Sequence, residues 1–165
     1  MRRILVGVDG SKESPTTSRS FPRRPRCILV GVDGSKESRD AAFYAAELAK
    51  ATGAKLMLAC AVFAHDVLTD PELAARTAHW EQEDQERGDA VVKEIAAAVA
   101  RPGVDLETVV AGGPAVAMLA WMATGCDVDL VVVGHRGRGA LARLLLGSVA
   151  DRLVQICPKP VLIVH

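Results

Sequence analysis

Asp129 to Val164 reads DLVVVGHRGRGALARLLLGSVADRLVQICPKPVLIV, and the order of patterns within it decides the fold. "DLVVVG" (129–134) is apolar on both faces, as a strand covered on both sides of a sheet must be. A glycine-rich turn follows, and "SVADRLVQIC" (148–157) then places Val149, Leu153 and Ile156 on one stripe of a helix. "PVLIVH" (160–165) is a second short strand. Strand, helix, strand is the unit from which parallel sheets are built.

Working outward, the same alternation runs back to Cys27. "CILVGVD" (27–33) is a strand, and "SRDAAFYAAELAKATGA" is an alanine-rich helix with Gly53 just past its end. "KLMLACAV" (55–62) is a second buried strand. The stretch from Asp70 to Gly103 is a long helix with Val91, Ile95, Ala98 and Val99 on one face and a stop at Pro102 and Gly103. "VDLETVVA" alternates enough to lie nearer a sheet edge, and Pro114 opens a further helix. The expected fold is a doubly wound, Rossmann-like five-stranded parallel sheet with helices on both faces and strand order 3-2-1-4-5. Ligands in such folds sit beyond the carboxyl ends of the strands. Two loops there stand out, "GVDGS" after the first strand and "GHRGRG" after the fourth.

Composition removes several function classes. The chain has 165 residues, half of them hydrophobic, a formal net charge of zero and 4% aromatics. A nucleic-acid binder would normally show a basic stripe, and a single-strand binder an aromatic platform. No apolar run reaches bilayer length and no leader pattern opens the chain, so a cytoplasmic protein is expected, with no membrane and no nucleic-acid partner. Cys27, Cys60, Cys126 and Cys157 form no CxxC pair and read as buried thiols rather than metal ligands.

The turn after "DLVVVG" carries the chemistry. Gly134 and Gly137 are separated by two residues, and nine more lead to Gly147 and Ser148 at the start of the last helix. Glycines let a backbone approach a ligand closely, and a helix start offers unpaired N–H groups and a favourable dipole to an anion. Ser148 adds a hydroxyl and suits a helix cap. A phosphate chain between the Gly137 turn and Gly147 is the physical reading. The motif is not a P-loop, since no Lys follows Gly147, nor GxGxxG, since Gly137 and Gly139 are followed by Ala142.

Gly, two residues, Gly, nine residues, Gly and Ser, ending in "GSVADRLVQICPKPVLIV", strongly resembles the nucleotide-binding signature of the universal stress proteins. "ILVGVDGSKES" and "GGPAVAMLAWMATGCDVDLVVVGHRGRG" look like that family too, so the resemblance spans Cys27 to His165. It implies an ATP-binding protein that works as a nucleotide-dependent stress sensor or regulator, commonly a homodimer, here paired through the last strand, Val161 to Val164. It also implies residue roles. Asp33 would approach the ribose and phosphates and hold Mg²⁺; Gly31, Val32 and Leu56 would line the adenine side; Val133, Gly134, Arg136 and Gly137 would form the turn; and Gly147, Ser148 and Val149 would bind phosphate. Where the family often has a second Ser or Thr this chain has Ala150, one possible donor fewer. A slow Mg²⁺-dependent ATPase and a nucleotide-free dimeric scaffold are the alternatives. No base is evident to activate water, which favours binding over catalysis.

The neighbouring residues have plainer readings. His135 lacks a partner carboxylate in sequence and reads as a surface histidine; Arg138 reads as solvated; "EQEDQER" in the long helix reads as a solvated face; Trp80 and Trp121 read as packing residues.

One feature lies outside this frame. "ILVGVDGSKES" occurs twice, at 4–14 and 28–38. The second copy runs straight into a helix, while the first runs into "PTTSRSFPRRPR", whose prolines cannot build one. Placing the first copy in the central strand would loop out residues 15–38, at a closure cost on the order of 3 kcal/mol. The second copy is therefore expected in the sheet. Residues 1–26 form an extension carrying a spare strand, disordered, laid along an edge of its own sheet, or added to a neighbour's, with Arg19, Arg23, Arg24 and Arg26 in a solvated linker.

Overall fold

The computed structural model describes residues 4–6, 24–62, 71–125, 127–138 and 146–165. Cys126, Gly139, Ala142, Arg19, Arg23, all of the first repeat beyond Val6 and the side chain of Trp80 lie outside the described residues. In chain order the elements are β1 (Ile4–Val6), β2 (Cys27–Gly31), α1 (Lys36–Thr52), β3 (Lys55–Val62), α2 (Pro71–Val99), β4 (Leu106–Gly112), α3 (Ala115–Gly125), β5 (Leu130–Gly134), α4 (Ser148–Ile156) and β6 (Val161–Val164).

The sheet order is β1-β6-β5-β2-β3-β4. Strands β2 to β6 are all parallel to their neighbours among themselves. Counted from β2, their order is the expected 3-2-1-4-5. The second repeat is the central strand, flanked by β3 and β5, and β4 is an edge. The first repeat adds a sixth strand: Ile4, Leu5 and Val6 run antiparallel to β6, opposite Val164, Ile163 and Leu162.

Period-two alternation divides the core into two layers. Ile28, Val30, Leu56, Leu58 and Val132 face α1 and α2, where Ala41, Ala42, Ala45, Ala46, Ala49, Val92, Ile95 and Val99 are buried. Leu29, Met57, Val131, Val133 and Ile163 face α3 and α4, packing on Met118, Leu119, Met122 and Leu153. The alanine face of α1 permits close approach to the sheet. A Cβ on Gly134 would stand 2.7 Å from the Glu37 backbone carbon, so β5 and the start of α1 touch backbone to backbone there.

Local signals fix both ends of α1. Ser35 caps α1 by accepting from the Ser38 N–H at 3.2 Å, and Gly53 closes it in the left-handed conformation, φ +74°. Four expectations shift. Helix α2 ends at Val99 rather than at Pro102, because the residue before a proline avoids helical backbone. Its buried stripe is Val92, Ile95 and Val99, with Ala98 exposed. Ile156, placed on the α4 stripe, is 45% exposed, because the turn of α4 buries only Ala150 and Leu153. Trp121 is 71% exposed and is no packing residue. Cys27 and Cys60 are buried and Cys157 half-buried, none of them joined in a disulfide.

Candidate functional site

The carboxyl ends of β2, β3 and β5 open into one cleft of about 530 Å³, within the ~300–1,000 Å³ of small-molecule sites. Both loops singled out in the sequence reach it. Gly31, Val32 and Asp33 come from the end of β2, Val133, Gly134, Arg136 and Gly137 from the β5 turn, and Gly147, Ser148 and Val149 from the start of α4. Parallel strands aim their carboxyl ends the same way, so residues a hundred positions apart meet at one rim.

Asp33 ties the two loops together. Its Oδ1 accepts from the Ser35 N–H (2.9 Å) and hydroxyl (2.6 Å), and its Oδ2 accepts from the Arg138 N–H (2.8 Å). The Ser38 hydroxyl accepts from the Asp33 N–H at 3.3 Å and donates to the Ser35 carbonyl at 3.0 Å. Burial alone would raise the Asp33 carboxyl, but the Ser35, Arg138 and Ser38 hydrogen bonds outweigh it and hold its pKa below the usual 3.8. Asp33 is thus a carboxylate at neutral pH. Oδ1 accepts two of these donors and Oδ2 one, which leaves Oδ2 the less occupied oxygen.

Glycine is required where the loops meet. A Cβ on Gly137 would stand 2.6 Å from Asp33 Oδ2, and one on Gly147 would stand 3.1 Å from Arg136 Cα and 3.3 Å from the His135 carbonyl oxygen. The Gly147 N–H donates to that same His135 carbonyl at 2.7 Å, and the His135 N–H donates to Val164 at 2.9 Å. The turn, the helix start and the end of β6 are thereby pinned to one another. Gly147, not Ser148, is the cap residue of α4, and no side-chain hydrogen bond closes it. The first-turn N–H groups of α4 therefore have no intrahelical acceptor, and the Ser148 hydroxyl is exposed at the mouth of the cleft. This end of the cleft suits an anion.

The other end is apolar. Ala59, Cys60, Ala61 and Val62 at the end of β3 line it with Val91 of α2 and Met118 and Leu119 of α3. Leu56 is a correction. It is fully buried near the start of β3, opposite Ile28, and does not line the cleft. Six residues of extended strand, roughly 20 Å, separate it from Val62. The rule that ligands gather at carboxyl ends points to Val62 rather than Leu56.

Sequence reading also missed the contribution of α2: Asp84, Arg87, Gly88 and Val91. Asp84 and Arg87 pair at 2.7 Å at the rim. The available signal was Gly88, a glycine inside a helix. A Cβ there would stand 2.6 Å from Val62 Cγ1 and 2.7 Å from Val110 Cγ1, so the helix needs glycine to lie against β3 and β4 at the cleft. His135 is half-buried rather than superficial. Its ring stacks on His165 at 4.0 Å, and its Nδ1 is buried with no hydrogen-bond partner among the described residues. Burial, and the positive charge His165 and Arg136 can place beside it, push its pKa down; the Val164 contact and Glu37 oppose this more weakly.

A doubly wound α/β protein with a glycine turn and a helix start facing a switch-point cleft is a mononucleotide-binding class of architecture. The chain belongs to the universal stress protein family, whose family model matches residues 25–165. A universal stress protein of Thermus aquaticus is 36% identical over 131 residues, 78% of this chain and 90% of that one. Universal stress protein UspA from Lactobacillus plantarum shares the fold, with a TM-score of 0.77 at 21% identity over 87% of this chain and all of that one. A universal stress protein solved in complex with cAMP has a TM-score of 0.56 at 30% identity, covering 86% and 98% of the two chains. A relative from Mycolicibacterium smegmatis is 58% identical over 38 residues, so the chain spans 29% of that protein's length.

Proposed function

We propose that this protein binds an adenine nucleotide in the cleft and acts as a nucleotide-dependent regulator, with ATP as the nucleotide and Mg²⁺ at Asp33. One observation carries the reading: a glycine-shaped anion end and an apolar end share a single cleft, as a ligand with a phosphate chain and a flat base requires. The adenine side is assigned to Val32, Ala59 to Val62 and Val91, and the phosphates to Gly137, Gly147, Ser148 and the first N–H groups of α4. Mg²⁺, when bound, would neutralise phosphate charge; the chain's part is to keep Asp33 ionised and fixed by the Ser35 and Arg138 donors. The related structure with cAMP supports the class of ligand.

The test is calorimetric titration with ATP, with and without Mg²⁺, on the unmodified chain and on Gly137→Val. Micromolar-range binding that the valine abolishes supports the reading. No heat from either protein, with both folded, overturns it. Self-association through β6 belongs to the same proposal, but that edge carries β1 in this structure.

A further inference from the structure

The duplicated segment has two fates in one molecule. Ile28 to Val30 form a parallel central strand, while the identical Ile4 to Val6 lie antiparallel on the outer edge of β6. Parallel pairing places the ends of β2 and β6 at the same side of the sheet. Antiparallel pairing therefore sends Val6 toward the side where Cys27 starts. Between those two points lie three strand spacings, ~14 Å, and the roughly 20 residues from 7 to 26 reach several times that distance. The link permits the contact without dictating it.

The edge under β1 has the properties of an association surface. Strand β6 is VLIV, wholly aliphatic, and accepts an antiparallel partner. β1 covers Leu162, Ile163 and Val164, while Val161 falls outside the register. The helix leading into β6 exposes Val154 (46%) and Ile156 (45%), two of the three large hydrophobics exposed among the described residues. A wholly aliphatic edge fits a second copy of itself, since an antiparallel pair of identical strands closes about a twofold axis.

We propose that the N-terminal repeat is an internal edge cap: β1 occupies the β6 edge that otherwise pairs with the β6 of a second copy, and so controls the protein's self-association. This rests on the β6 edge being the association surface, and is independent of whether nucleotide binds. The arithmetic favours the cap at ordinary concentrations. A segment linked through a chain of this length is held near its target at an effective concentration on the order of 1 mM. A second copy at 1 μM must pair about a thousandfold more tightly to displace it. Releasing β1, by proteolysis or by capture of the repeat, frees the edge.

The experiment is sedimentation equilibrium of the full chain and of the full-length double variant Leu5→Pro/Val6→Pro at about 50 μM. In an antiparallel ladder adjacent residues alternate in facing the partner, so one of the two prolines removes a ladder N–H whichever way β1 is set. The cap predicts 17.4 kDa for the unmodified chain and twice that for the variant. If both are monomers, the cap and the β6 association surface fail together. If both are dimers, the cap fails and association stands. Amide exchange on the unmodified monomer tests the contact without any substitution: protection at β1 is expected, and exchange at unstructured rates across residues 4–6 overturns the proposal.

Discussion

Replacing Asp33 with Asn isolates the contact that joins the two ligand loops. The amide oxygen can keep both Ser35 donors, but the amide NH₂ must then face the Arg138 N–H, which donates at 2.8 Å in the unmodified chain. One charge-assisted hydrogen bond becomes a donor facing a donor. Such bonds are worth ~1.5–3 kcal/mol, and partial exposure of the site reduces this to about 1–2 kcal/mol. In a domain of this size that lowers Tm by roughly 2–8 °C. The cost is also pH-dependent. The folded pKa of Asp33 lies below its ordinary 3.8, so the ionised group stabilises the fold above that value, and the benefit disappears as pH falls through the folded pKa. Urea unfolding at pH 7 should show the variant less stable with an unchanged slope, and the gap should close in acid below 3.8. Equal stability at pH 7, or a gap that persists unchanged in acid, refutes the reasoning.

Gly134→Ala should cost about 1–3 kcal/mol by overpacking alone, since the new Cβ meets the Glu37 backbone at 2.7 Å and the glycine has no positive φ to lose; an unshifted urea midpoint would contradict that contact. His135 has its folded pKa pushed below the usual 6.5, so its neutral form stabilises the fold above that pH and the contribution is lost as pH falls from 6.5 toward the folded pKa. Stability of the unmodified chain should therefore decline through this window, and His135→Gln should flatten the profile; identical profiles for the two proteins would show that the His135–His165 stack does not titrate with folding.

The legible part of the site was the part written in backbone chemistry. Gly137 and Gly147 could be placed because a close approach needs glycine whatever surrounds it, and Asp33 because it lies just past the central strand. Leu56 was misplaced because period-two alternation tells which face of the sheet a residue is on, not which end of the strand reaches the ligand. Ala98 and Ile156 show the same gap for helices: an apolar residue at helical spacing tells the rough direction of the core, but the helix's rotation and its distance from the sheet edge decide which neighbours are covered. Trp121 was expected inside because large aromatics usually bury their area, yet α3 carries it on the outward side of the sheet's last layer.

By itself the sequence determined the alternation of strands and helices, hence a parallel sheet, and the choice of the second repeat for its centre, because only that copy is followed by a helix. It also located the glycine turn, since glycine's lack of a Cβ, which permits close backbone approach, is read directly from the sequence. Only the tertiary structure decided that α2 supplies Arg87 and Asp84 to the cleft rim, that Asp33 joins two loops distant in sequence, and that the first repeat lies on β6. These are contacts between segments whose meeting depends on sheet order and polarity, and identical residues, Ile4 to Val6 and Ile28 to Val30, take opposite polarities because their neighbours in space differ.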